Sequence, residues 1–317
     1  MYHNILQIFP KEMRGLVEYT ASREAYINEI RIRCERPIII MEQGKEFFLR
    51  DNGVYTVEQD EAVVLKQNDL EKIVQHICHY SLYAYEDELK QGYITIPGGH
   101  RIGVVGQVVL ENNGQIRTIK NIRGLNVRVA HQVKGVAVPV LSYLYSGGML
   151  KNVLIVSPPG CGKTTLLRDI VRCISDGNQY GSGMSVGVVD ERSEIAGAFL
   201  GQPQNDVGIR TDVLDACPKA IGMMMLLRSM SPKVIAIDEL GSEEEMKAVK
   251  TILSCGTKVV ATMHGVDMQD IMRRGGMEQL LKNQCFDLFL FLGKEKDRCV
   301  IQRIYERVEN GELQCRK

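Results

Sequence analysis

Val153-Leu154-Ile155-Val156-Ser157-Pro158-Pro159-Gly160-Cys161-Gly162-Lys163-Thr164-Thr165 is the stretch from which the rest of the chain is read. An apolar run enters it, and Leu166-Leu167-Arg168-Asp169-Ile170-Val171, with helical spacing, leaves it. Strand, glycine-bearing loop and helix in that order are the context of a Walker A P-loop. Backbone N–H groups of such a loop, together with the positive end of the helix, cradle a polyphosphate. Ser157, Pro158, Pro159, Gly160, Cys161, Gly162, Lys163, Thr164 and Thr165 are therefore the expected nucleotide-binding residues. Lys163 is expected to reach the β/γ-phosphates and the Thr164 hydroxyl to hold Mg²⁺. Ser157 stands where the usual pattern opens with glycine, but Gly160 and Gly162 still permit close backbone approach. Cys161 reads as packing, with a redox-sensing thiol as the alternative, because a helix N-terminus can depress a thiol pKa.

Working outward, 317 residues leave room for about two domains. An apolar fraction of 44% and a charged fraction of 25% are those of an ordinary globular protein. With 39 basic and 39 acidic residues the net charge is zero, which argues against a generally basic nucleic-acid binder. The sequence contains no apolar run of transmembrane length and no signal-peptide pattern at Met1–Pro10. Nine cysteines, an odd and scattered set without a CxxC pair, read as reduced thiols in a cytoplasmic protein.

Before the P-loop the pattern is mixed. Met13, Leu16, Val17 and Tyr19 mark an amphipathic helix; Glu29-Ile30-Arg31-Ile32-Arg33-Cys34 alternates with the period of a half-buried strand. Ile38–Met41 is a second strand, and Asn68 to about residue 82 a capped helix with Leu70, Ile73 and Ile77 on its core face. A hairpin is expected around Pro97-Gly98-Gly99, and a further strand pair at Ile116–Ile119 and Gly124–Val129. Arg31 and Arg33 read as a solvated face or a partner contact. Tyr80, Tyr83 and Tyr85 read as packing at a helix end, or as a base-stacking surface. This is a smaller α+β domain over residues 1–132, with a division into two subdomains near residue 60 left open, followed by a connecting segment over 133–149.

From residue 150 to 317 strands and helices alternate. Apolar runs fall at Val153–Val156, Val186–Val189, Val234–Ile237, Val259–Thr262 and Leu288–Phe291; helical patterns at 163–175, 217–229, 242–253 and 267–282 separate most of them. That alternation specifies a parallel sheet with helices on both faces, an α/β fold of the RecA-like P-loop type, with ligands at the carboxyl ends of the strands.

The strand Val234–Ile237 ends in Asp238-Glu239. An acid there suits Mg²⁺, and the next carboxylate can polarise an attacking water. Asp190-Glu191-Arg192-Ser193-Glu194 ends a second strand and belongs either to the site or to a helix cap. Thr262 and His264 end a third, where a polar group can sense a γ-phosphate. NTP hydrolysis follows, with Lys163, Glu239, Glu191 and His264 as catalytic candidates and Thr164 and Asp238 as metal ligands. Phosphoryl transfer gains from an arginine supplied in trans, so Arg101, Arg123 and Arg128 are candidates to reach a neighbour's nucleotide, and a ring homo-oligomer is expected.

The sequence also resembles the stage III sporulation protein AA family nearly end to end. The resemblance rests on Glu29–Arg33, Gly92–Arg101, Gly124–Arg128, Asp190–Ile195, Gln204–Leu214, Pro218–Ala220 and Met223–Met225. That family is similar in turn to the ring ATPases of type II and type IV secretion and pilus assembly. Their acidic box, Walker B strand and His box map onto Asp190-Glu191, Asp238-Glu239 and Thr262-Met263-His264. Here Leu240-Gly241 replaces their usual hydrophobic-Arg pair, and the four-cysteine insert is missing. The resemblance implies a mother-cell ATPase using ATP and Mg²⁺, hexameric, held at the membrane by a membrane-embedded channel component, and energising the channel between mother cell and forespore. A DNA- or RNA-stimulated ATPase with the front domain as the nucleic-acid module is the alternative, and a scaffold with a structural nucleotide site a second one.

Overall fold

The computed structural model describes residues 4–79, 81–296, 298–308 and 310–317; Tyr80 of the tyrosine cluster lies outside them. The chain divides into two compact units, Met1–His131 and Gln132–Lys317.

The first unit begins with α1 (Asn4–Ile8) and α2 (Arg14–Ser22), then β1 (Ile27–Arg33), β2 (Ile39–Glu42), β3 (Lys45–Leu49) and β4 (Tyr55–Thr56). α3 (Gln67–Ile77) and α4 (Glu86–Lys90) precede β5 (Tyr93–Ile96), β6 (His100–Leu110) and β7 (Ile116–Arg128). All seven strands form one antiparallel sheet, ordered β4-β3-β2-β1-β7-β6-β5. Strands from both sides of residue 60 share its hydrogen bonds, so the unit has no division there. In β1 the alternation read from sequence is realised: Ile30 and Ile32 are buried, while Arg31 and Arg33 face away from the core. The strand pair expected over 116–129 is instead one strand, because β7 pairs with β6 along its whole length. The register shift between Val105 and Gln107 absorbs the irregularity, and Gly106 sits in it; a Cβ there would lie 2.8 Å from the Lys120 carbonyl oxygen.

The second unit opens with α5 (Leu141–Leu144) and the small hairpin β8 (Tyr145–Ser146) and β9 (Met149–Leu150). Ala137, Val140, Leu141 and Leu144 are buried in this unit's core, so the segment expected as a connector is part of the fold. β10 (Val153–Ser157) is followed by α6 (Lys163–Asp176), β11 (Val186–Asp190), β12 (Thr211–Asp215), α7 (Lys219–Ser229), β13 (Val234–Ile237), α8 (Glu243–Ser254) and β14 (Lys258–His264). α9 (Met268–Met272), α10 (Met277–Lys282), β15 (Leu288–Glu295), β16 (Arg298–Arg307) and β17 (Leu313–Cys315) complete it. The sheet order is β12-β11-β13-β14-β10-β15-β16-β17, parallel from β12 to β15 and antiparallel beyond.

The central strands are continuous apolar runs because both sheet faces are covered. Val153 and Ile155 enter one core with Leu166, Leu167 and Ile170 of α6. Leu154 and Val156 enter the opposite core with Met223 of α7 and Met246 and Val249 of α8. The helical pattern over 267–282 resolves into two helices: Gly276, at φ +78°, is the N-cap of α10. The α/β fold with a separate smaller N-terminal unit is thus present, the first unit being dominated by its sheet.

Candidate nucleotide-binding and hydrolysis site

β10 delivers the loop at the carboxyl edge of the parallel sheet. Ser157 ends the strand buried, its hydroxyl donating to the Pro158 carbonyl at 2.8 Å. Pro158 and Pro159 carry the chain outward, and Gly160 (φ +69°) and Gly162 (φ +78°) adopt the left-handed backbone that turns it into α6. Gly162 is the N-cap of that helix, so the first N–H groups of α6, from Lys163 and Thr164 onward with Thr165 behind them, lack helical acceptors and converge at one end. Cys161 is buried among Val153, Ile155 and Leu166, which matches packing rather than an accessible thiol. Exposed Cys299 of β16 lies against the loop, its Sγ 3.7 Å from the Gly160 carbonyl oxygen.

Lys163 is 5% exposed, with Nζ 3.0 Å from His264 Nδ1 and 3.5 Å from the Ser157 carbonyl oxygen. Burial lowers its pKa, against the raising influence of Glu239 and Asp238. His264 ends β14, whose partner across the ladder is β10, with Ser157 opposite His264. Its Nε2 lies 2.9 Å from Glu239 Oε1, so Lys163, His264 and Glu239 stand in a line beside the loop. Arg192 Nη1 reaches the other Glu239 oxygen at 3.4 Å.

Asp238 sits just past β13. Its Oδ2 accepts from the Thr164 hydroxyl at 2.5 Å, and its Oδ1 accepts a short bond from the Thr262 hydroxyl. Thr262 is fully buried, and its Oγ1 also accepts from the Glu239 N–H at 2.8 Å. Thr262 therefore braces the two acids and has no group left for a γ-phosphate; only His264 of the pair faces the loop. Glu239 itself adopts φ +56°, a left-handed conformation that costs a non-glycine residue about 1–3 kcal/mol and is kept only where its surroundings enforce it.

The acids after β11 divide between two roles. Asp190, 2% exposed, accepts from the N–H groups of Glu194 (2.7 Å), Ile195 (3.0 Å) and Ala196 (2.8 Å), organising a turn rather than capping a helix. Burial raises its pKa, while the three N–H groups favour the ionised form. Glu191 points toward Lys219 Nζ, at 3.6 Å, not into the line formed by Lys163, His264 and Glu239. Two buried cations were missed as site residues by the sequence reading. Arg168 of α6 donates to the Ile195 and Glu194 carbonyls at 2.5 and 2.6 Å, tying the P-loop helix to the turn after β11. Lys219 of α7 donates to the Glu239 carbonyl at 2.5 Å. The sequence places Lys219 only within the family stretch Pro218–Ala220 and Arg168 only within the helical pattern after the P-loop, with no role for either.

The donor set fits a magnesium nucleotide. A hydroxyl and a carboxylate, Thr164 and Asp238, meet at the start of α6, which is oxygen chemistry suited to a hard cation. Among the described residues no cluster of three or more His, Cys, Asp or Glu side chains could hold a metal ion, so the remaining ligands would be phosphate oxygens and water.

The arginine candidates lie in the first unit. Arg101 and Arg128 are opposed in the β6–β7 ladder, Arg101 stacking over Tyr93 at 4.9 Å. Arg123 stands apart from them, donating to Gln67 of α3 at 3.1 Å, with Glu35 at 3.7 Å. The three do not form one cluster.

Comparison with known proteins gives a consistent picture. Residues 2–312 match the family described as "Sporulation stage III, protein AA". The chain is 40% identical over 309 residues to the stage III sporulation protein AA of Bacillus subtilis (strain 168), spanning 97% of this chain and 96% of that one. Among solved structures, the ATPase DotB of Legionella pneumophila superposes with a TM-score of 0.61 at 17% identity, over 95% of this chain and 82% of that one. The pilus retraction motor PilT with bound ADP superposes at 0.58 and 14% identity, over 87% and 77%. At such identities the likeness is one of fold. Among the described residues no helix is long and apolar enough to cross a membrane.

Proposed function

The chain belongs to the sporulation stage III protein AA family, and from that premise we propose that it is a Mg²⁺-dependent ATPase that works as a ring-forming, secretion-type motor. The observation that carries the reading is the line Lys163–His264–Glu239 beside a P-loop whose Thr164 hydroxyl meets Asp238. A P-loop alone binds phosphates. A carboxylate beside its lysine, held by a histidine and by a fixed backbone, is what hydrolysis adds.

The N–H groups at the start of α6 and the Lys163 ammonium bind and orient the phosphates. Thr164 and Asp238 would hold Mg²⁺, which would supply neutralisation of phosphate charge. Glu239 orients and polarises the attacking water, and His264 fixes the Glu239 carboxylate while sharing a contact with Lys163. Protein groups here supply positioning and preorganised charge. Glu239 is preferred to Glu191 because Glu191 pairs with Lys219 instead.

The family resemblance supports a hexamer in the mother-cell cytoplasm, docked on a membrane-embedded component and energising the mother cell–forespore channel. Arg101, Arg123 and Arg128 are the candidates for completing a neighbour's site. A second reading, stimulation by single-stranded nucleic acid, is favoured by one observation. Arg31 and Arg33 of β1 share a sheet face with Arg128 and Arg101, and Tyr93 lies under Arg101.

The test is phosphate release with parallel nucleotide binding. Lys163→Ala abolishes binding; Glu239→Gln keeps binding and loses about 10²–10⁴-fold in turnover, the usual worth of a positioned base. Parental turnover in Glu239→Gln passes the role to Glu191. Mass in solution with and without ATP tests the hexamer. Recovery of turnover on mixing Arg→Ala with Lys163→Ala subunits tests the arginine in trans. Strong stimulation by single-stranded DNA that vanishes at moderate salt would support the second reading.

A further inference from the structure

Lys219 is a cation 9% exposed in the first turn of α7, the positive end of a helix dipole, and that turn carries no acid of its own. A lysine so buried is kept by its partners, which here come from other elements. Nζ of Lys219 donates to the Glu239 carbonyl oxygen at 2.5 Å and lies 3.1 Å from Glu245 Oε1 and 3.6 Å from Glu191 Oε2.

The contact with Glu239 completes a backbone clamp. The Glu239 N–H donates to Thr262 Oγ1 (2.8 Å) and the Leu240 N–H to the Thr262 carbonyl (2.8 Å). The Gly241 and Ser242 N–H groups donate to Glu245 Oε2 at 2.7 and 3.2 Å, the same carboxylate whose other oxygen faces Lys219. Between residues 239 and 242 the Glu239 carbonyl, turned aside by φ +56°, takes its side-chain bond from Lys219. Without that donor the left-handed turn loses what holds its carbonyl. A return of Glu239 to ordinary backbone geometry would carry its carboxylate away from His264.

We propose that Lys219 is a positioning residue for the hydrolytic reaction: it fixes the left-handed conformation of Glu239 through the main-chain carbonyl and so aims the Glu239 carboxylate. The proposal rests on the hydrolase reading above. It assigns Lys219 no contact with nucleotide, so its loss acts on turnover and not on binding.

The experiment uses the full chain with Lys219→Met and Lys219→Arg, measuring kcat, nucleotide affinity and thermal melting. Lys219→Met is expected to lower kcat about 10²-fold, as when a reacting group is misplaced by about an ångström, with nucleotide affinity within about twofold of wild type. Lys219→Arg, which keeps a cationic donor, recovers most of that loss. In a Glu239→Gln background Lys219→Met adds no further loss, because the group it aims is already gone. Unchanged kcat in Lys219→Met overturns the proposal, as does a parallel fall of kcat, affinity and melting temperature, or an additive loss in the Glu239→Gln background. Where Lys219→Met does not fold, Lys219→Gln takes its place with the same outcomes. Absence of Lys163-dependent turnover in wild type sinks the hydrolase reading; wild-type turnover with an unaffected Lys219→Met sinks this inference alone.

Discussion

Replacing Thr262 by valine exchanges a hydroxyl for a methyl group of nearly the same shape at a fully buried position in the middle of the sheet. Packing is retained, and so is the Leu240 N–H bond to the Thr262 carbonyl. Two interactions go: the bond from the hydroxyl to Asp238, and the acceptor for the Glu239 N–H at 2.8 Å. A hydrogen bond to a charged group contributes about 1.5–3 kcal/mol, and a buried donor left without partner costs about 1–3 kcal/mol. The lower part of both ranges applies. Asp238 is half-buried and keeps its second oxygen on Thr164, so solvent and that bond offset part of the loss. The expected destabilisation is about 2–4 kcal/mol. For a unit of this size about 2–4 °C of melting temperature correspond to each kcal/mol, so the transition falls by about 5–15 °C. Thermal and guanidinium unfolding of wild type, Thr262→Val and Thr262→Ser read this directly, the serine variant retaining both bonds. Valine and serine variants of equal stability would show that the hydroxyl does not brace the two acids, and the description of the site would be wrong at its centre.

Gly208 has φ +91°, and a Cβ placed there would lie 2.5 Å from Ser175 Cβ and 3.0 Å from the Arg172 carbonyl oxygen. Gly208→Ala should cost about 2 kcal/mol or more in urea unfolding, from strain and from displacement of α6; a loss below about 0.5 kcal/mol would contradict the close approach. Glu306 is held below the usual glutamate range by hydrogen bonds from Lys151, at 2.5 Å, and from Arg316, at 2.7 Å. A lowered folded-state pKa means that this contribution is fully present above the unfolded value of 4.5 and is lost as pH falls through the folded one. The stability gap between wild type and Glu306→Gln should therefore be widest near neutrality and narrow as pH falls below 4.5. A gap that grows on acidification would mean that the carboxylate is not the stabilised form.

The second unit was legible in the sequence where burial on both faces writes a continuous apolar run. Val153–Val156, Val186–Val189, Val234–Ile237 and Leu288–Phe291 all became strands, as did the run ending at Thr262. β12 was not, since Thr211–Asp215 is an edge strand with polar residues and carries no such run. In the first unit the two segments of β7 were taken apart by Asn121, which has φ +49°, and by the glycines around it. Only the pairing with β6 shows that the chain continues through the irregularity.

Local chemistry decides which residues can bind phosphate: glycines that permit the loop, a lysine and threonine at the helix start, an acid after an apolar strand. Those are short-range properties, and the sequence by itself determined them, along with the α/β class and the family. What only the tertiary structure decided is how side chains from separate strands divide the work. Thr262, expected as a phosphate sensor, is spent between Asp238 and the Glu239 N–H; Asp190 holds a turn; Glu191 is drawn to Lys219, which also grips Glu239 from another helix. Apart from the local turn at Asp190, these contacts join residues twenty or more positions apart. Their partners follow from strand order, register and backbone conformation, none of which is encoded in the spacing of any single motif.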